Sequence, residues 1–138
     1  MAGFTFAYRL SGGAPTIQSL KFKDTETLTK GDMVNLESGT LDLAATGDTN
    51  CLGVALETKA GTSAVTYLSF IRDGDAVYSV VDANARVAGA TLDLTGNTGA
   101  QGVTTSSNKN FVVVADSSAT EPTLVRWNVG KHHDLVAL

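Results

Sequence analysis

The chain has little of what usually builds a catalytic site. In 138 residues there are one cysteine, two histidines, one tryptophan and two prolines. With Cys51 alone, an intramolecular disulfide is excluded and packing must hold the fold. Its apolar, strand-like surroundings mark Cys51 as a small core residue. Charged residues make up only 17% of the chain, against a typical value of about 25%. Ten Lys and Arg stand against 14 Asp and Glu, a net charge of -4 with no basic cluster. Phosphate binding draws its affinity from clustered Lys and Arg, so nucleic acid is not expected as a partner. No run approaches the roughly 18 apolar residues a helical membrane span needs, so no membrane is expected either. Met1-Ala2-Gly3 lacks a basic stretch followed by an apolar one, and no Asn-x-Ser/Thr sequon occurs. The protein is therefore expected to be made in a cytoplasm, without a secretory leader.

What is present reads as β structure. Hydrophobic residues reach 43% and glycine is plentiful at 14. Val and Thr dominate the β-branched positions, a mixture that favours strands joined by turns. The length suits one domain with a real core. A stretch from Leu28 to Phe70 is echoed further on. Met33-Val34-Asn35-Leu36 after Gly31-Asp32 matches Thr91-Leu92-Asp93-Leu94 after Gly89-Ala90. Cys51–Leu56 matches Phe111–Ala115, and Val65–Phe70 matches Leu124–Val129, all at an offset of about 58 to 59 residues. Repetition at fixed spacing predicts one duplicated β domain over residues 28–138, with copies at 28–70 and 87–129.

Residues 1–27 differ from this body. Phe4, Phe6, Tyr8 and Leu10 alternate strictly, a strand-like ribbon with an aromatic face. Ser11-Gly12-Gly13-Ala14-Pro15 then breaks regular structure, and Ile17, Leu20 and Phe22 follow without clean periodicity. Arg9, Lys21, Lys23 and Lys30 against Asp24 and Glu26 give residues 1–30 a net +2, leaving the rest acidic. So apolar a leader must be buried, either as a strand of its own domain or against a partner by strand addition. The expectation adopted is an extended N-terminal docking arm, with Phe4, Phe6, Tyr8, Arg9, Leu10, Ile17, Leu20 and Phe22 as its contacts.

In the body, Glu37-Ser38-Gly39-Thr40 reads as a hairpin turn between strands Met33–Leu36 and Leu41–Ala44. Further strands are expected at Cys51–Thr58, Ala64–Ile71, Ala76–Val81, Phe111–Ala115 and Leu124–Val129. Asp82–Arg86 is expected as one helical turn capped by Asp82, and 95–110 as a loop, mobile around Gly96–Gly102. Short strands at regular spacing predict a small β-sandwich or barrel.

Chemistry is hard to find. Gly61-Thr62-Ser63-Ala64-Val65 is half of a nucleophile elbow without its closing glycine or a parallel βα setting. His132 and His133 are adjacent, so on a strand they face opposite ways and do not converge on a metal. Gly96–Gly102 lacks the phosphate-cradling spacing. Asp73 and Asp75 lack the other ligands of a calcium loop. No catalytic residue, metal or cofactor is expected, and the chain is read as a non-enzyme.

Three short motifs carry a resemblance: Gly31-Asp32-Met33-Val34, Gly53-Val54-Ala55 and Gly74-Asp75-Ala76-Val77. In this pattern of glycine-led strand entries the chain resembles the phage head decoration, or capsid cement, proteins. The resemblance covers residues 28–95 and, more loosely, the second copy, where Ala90 and Phe111 depart from it. It implies an all-β, β-tulip-like fold and a non-enzymatic virion protein on the outer surface of the phage head. It also implies the major capsid protein as partner and a homo-oligomer, with a trimer favoured. Two alternatives stand beside it: a tail-tube or fibre-base subunit, and a carbohydrate-binding module or small hydrolase working near Trp127 or Ser63.

Overall fold

Glycine-led turns and alternating apolar residues produce a chain built of short antiparallel strands. The computed structural model describes residues 3–22, 26–61, 66–105 and 107–135. Among them are thirteen strands and no helix. In the first half these are β1 (Phe4–Arg9), β2 (Ile17–Lys21), β3 (Thr27–Leu28), β4 (Met33–Glu37), β5 (Thr40–Leu43), β6 (Cys51–Val54), β7 (Lys59–Ala60) and β8 (Tyr67–Ile71). In the second half they are β9 (Ala76–Val80), β10 (Thr91–Thr95), β11 (Gly102–Thr105), β12 (Phe111–Val113) and β13 (Thr123–Trp127). The all-β expectation is met.

The two halves share a topology. β2, β8, β6, β4 and β5 neighbour one another in that order, with Ala55 bridging Phe70 to join β6 and β8. β9, β13, β12, β10 and β11 follow the same order in the second half. Thr91 faces Val112 and Leu92 faces Phe111, just as Met33 faces Val54 and Val34 faces Gly53, each residue 58 positions after its counterpart. The third sequence pairing is displaced. Phe70 bridges Ala55 where Val125 pairs with Val113, which sets β8 against β13 at 55 residues and not 59. The connection over 114–122 is shorter than the one over 55–66, and the offset shrinks accordingly.

The copies close differently. In the first, Phe22 at the end of β2 bridges Leu41 of β5, turning five strands into a small barrel. Its interior holds Phe22, Leu28, Val34, Leu41, Leu52, Ala55, Leu68 and Phe70. The second copy stays open and gains β1 beside β9, giving a six-stranded sheet β1-β9-β13-β12-β10-β11. This sheet packs on the outside of the barrel across the larger core, where Met33, Cys51, Val54 and Ile71 meet Tyr78, Leu92, Phe111 and Trp127. Alternation along β4 and β6 sends one face to each core, as with Met33 and Val34 or Cys51 and Leu52.

The leader is part of this architecture and not a free arm. β1 pairs antiparallel with β9 from Phe4–Val80 to Arg9–Ala76, and β2 pairs with β8 from Ile17–Ile71 to Lys21–Tyr67. Phe4 begins an aromatic row: its ring lies 5.3 Å from that of Phe111, which lies 4.5 Å from Trp127, itself 6.3 Å from His132. Truncating one such buried ring costs about 3–5 kcal/mol. Burial inside the fold is what keeps Phe4 and Phe22 of the leader out of water.

Two more expectations change. No helical turn forms at Asp82–Arg86. Asp82 instead accepts the Asn84 amide and pairs with Arg86 at 2.5 Å, while the Arg86 backbone bridges Ser117. The 95–110 stretch contains β11 and is tied down. The buried Gln101 side chain accepts the Met33 amide at 2.6 Å and donates to the Ala44 carbonyl at 2.8 Å. Asp93 receives the amides of Ser107, Asn108 and Lys109 at 2.7–3.0 Å and so closes the turn after β11.

Candidate interaction surface

The eight residues expected to make contacts are divided by the fold. Phe4 sits in the larger core and Phe22 in the barrel, both buried. Phe6 and Leu20 are half-buried against those cores, and the Phe6 ring meets Tyr78 edge-on at 6.5 Å. Arg9 is half-buried. Three project into solvent: Tyr8 at 41% exposure, Leu10 at 55% and Ile17 at 61%.

These three are brought to one end of the molecule by a carboxylate clamp. Asp75 accepts Arg9 Nε at 3.2 Å, the Ser11 amide at 3.3 Å and the Ser11 hydroxyl. Asp73 accepts the Thr16 amide at 2.6 Å and lies 3.7 Å from Arg9 Nε. The backbone adds Leu10 N–H to the Asp75 carbonyl and Arg72 N–H to the Thr16 carbonyl, each at 2.9 Å. The hydrogen bond from the Ser11 hydroxyl, and then Arg9, hold the Asp75 carboxyl below its ordinary range against partial desolvation. The loop over 10–16 is thus strapped to the Arg72–Asp75 turn and presents Leu10 and Ile17 outward. Beside it, Arg72 forks onto Asp134 through two hydrogen bonds of 3.1 Å and reaches Gln18 at 2.9 Å.

The glycine-led motifs have structural work of their own. Asp32 is buried and accepts the Thr29 amide, the Thr98 hydroxyl and the Gly99 amide at 2.5–2.9 Å, linking the two copies. At Gly53 a Cβ would stand 1.8 Å from the Ile71 carbonyl oxygen, so only glycine fits.

Among the described residues the candidate chemistry does not assemble. His132 is buried, with Nε2 donating to the Leu52 carbonyl at 2.6 Å and Nδ1 accepting the Asp134 amide at 3.0 Å. The His133 amide donates to the Cys51 carbonyl, so the segment 131–133 lies along β6 as a short added strand. Trp127 is fully buried, which removes it as a carbohydrate platform. Ser63 lies outside the described residues. No group of three His, Cys, Asp or Glu that could hold a metal occurs among the described residues. The clamp was missed in the sequence, although Asp73-Gly74-Asp75 was visible as a turn. Its partners are 57 to 66 residues away.

Neither a protein-family model nor a curated protein matches the sequence. The fold is similar to the crystal structure of the head fiber gp8.5 N base of bacteriophage phi29, with a TM-score of 0.51 and 14% identity. The match covers 82% of this chain and 95% of that one. At such identity the likeness shows a common fold.

Proposed function

We propose that this protein is a structural component of a phage virion, mounted on the outer surface of the head as a decoration (cement) protein. The observation that carries the reading is the fold, shared over nearly the whole of a head-fibre base. The decoration-like motifs of the sequence point the same way. One contact surface is the clamped end, where Tyr8 on β1, Leu10, and Ile17 at the start of β2 stand exposed beside a loop already ordered by Asp73 and Asp75. Because the loop is tethered beforehand, docking loses less conformational entropy than a free arm would. A ligand that binds only the assembled shell stabilises it by mass action, without catalysis. In this reading the protein is a non-enzyme and acts as a small homo-oligomer, with a trimer favoured.

The test is co-sedimentation of the purified protein with expanded cognate heads that lack it. Saturable binding is expected, weakened at least about tenfold by Leu10→Asp or Ile17→Asp with the melting temperature unchanged, since each buries a charge in an apolar contact. No binding by the folded wild-type protein would overturn the reading. A second reading, the base of a head fibre, is favoured by the same fold. It differs in one measurement: a cement protein raises the temperature at which heads burst, and a fibre base leaves it unchanged.

A further inference from the structure

The other end of β1 has a separate feature. The Phe4 amide turns away from β9 and donates to the Gly31 carbonyl at 2.8 Å. Phe4 and Val80 are therefore a pair whose backbone groups point away from each other. The pattern alternates, so Phe6, opposite Tyr78, also turns its amide and carbonyl outward, and no described residue bonds to them. Beyond Phe6 a bulge before Tyr8 distorts the strand, which blocks further pairing. A short free edge is left.

A groove of about 500 Å³ opens along this edge, lined by Phe4, Phe6, Val54, Leu56, Val80 and Val81. Val81 is 62% exposed at its mouth. Lys30 is the one charged side chain of the lining, and its ammonium makes no ion pair among the described residues. Thr5 and Ser79 are the other polar side chains there. A small molecule would need several converging polar groups to fix it. An extended chain needs only backbone partners and alternate apolar pockets.

We infer that this groove receives an extended segment of the head protein on which the chain is mounted, added as a short strand at Phe6. The segment carries apolar side chains at alternate positions and a carboxylate that meets Lys30. A second copy fits less well. The two edges its six-stranded sheet would offer, β1 (Phe-Thr-Phe-Ala-Tyr-Arg) and β11 (Gly-Val-Thr-Thr), have no carboxylate for Lys30. The inference rests on the proposed head attachment and names the chemistry of its partner.

Val81→Asp and Lys30→Glu test it against expanded heads lacking the protein, with Val87→Asp, an exposed valine outside the groove, as control. Each groove variant is expected to bind at least about tenfold more weakly with an unchanged melting temperature, and the control to bind normally. A benzophenone side chain placed at residue 81 should cross-link to an Asp- or Glu-containing segment of the head protein, identified by mass spectrometry. Normal binding by both groove variants overturns the groove inference and leaves the head reading standing. So do cross-links that join only copies of this chain. If the wild-type protein fails to bind heads, both fall together.

Discussion

At the scale of single residues, the two most consequential positions are a glycine and a histidine. Gly53 lies where β6 passes β8, and the Ile71 carbonyl occupies the place of any side chain. Gly53→Ala must push strands apart, so it is expected to cost at least about 3 kcal/mol, read as a lower denaturant midpoint. A loss below about 1 kcal/mol would contradict the packing described. His132 fixes the segment 131–133 to β6 in its neutral form. Burial, above all, lowers its pKa from the ordinary 6.5, against the opposing pull of the Leu52 carbonyl and Asp134. The unfolded chain therefore takes up this proton first. Stability is full above about pH 6.5 and declines as pH falls through that value toward the lower native one. The lowered pKa values of Asp75, Asp82, Asp93 and Asp134 act elsewhere. Their contribution is complete above the usual carboxylate value of about 3.9 and is lost only as pH drops below it. The melting temperature should thus fall between about pH 6.5 and 5 in the wild-type protein. His132→Gln should flatten that slope, and an unchanged slope would remove His132 as its cause.

At the scale of elements, the leader decides the matter. β1 adds an edge to the six-stranded sheet, and β2 supplies one of the five barrel strands and its closing bridge at Phe22. A chain starting at Thr27 loses both, together with the buried Phe4 and Phe22, and is expected to show no cooperative unfolding transition by circular dichroism. A folded truncated protein would mean that residues 3–22 are an accessory after all. The sequence made the alternation of Phe4, Phe6 and Tyr8 legible as a strand, but period-2 patterning does not say whose sheet a strand joins. The repeat was legible for the same reason that it is structural, since Met33–Leu36 and Thr91–Leu94 enter the same topological place. β2 escaped because the alternation of Gln18 and Leu20 against exposed Ile17, Ser19 and Lys21 mixes polar and apolar residues on both faces. β11 escaped because Gly-Val-Thr-Thr sits in a run of loop-forming residues, although it folds back on the neighbouring β10 from Thr95–Gly102 to Leu92–Thr105. The clamp belongs to the same class: Asp73 and Asp75 look like turn residues until the fold brings Arg9, Ser11 and Thr16 to them.

At the scale of the whole molecule, a barrel and an open sheet that share one order of five strands are joined by a common core. One end carries exposed apolar residues on a clamped loop, and a groove runs along the other end of β1. The fold was legible as all-β with a duplication, whereas the closing of one copy and the opening of the other depend on the Phe22–Leu41 bridge and on β1, which no local pattern reveals. The central claim is attachment to the outside of a phage head. Cryo-electron reconstruction of cognate heads with and without the protein tests it most directly. The account predicts added density outside the shell at fixed symmetry positions, into which the barrel and sheet fit with Leu10 and Ile17 turned toward the capsid surface. Identical shells, with the protein's density found only in the tail, would contradict it.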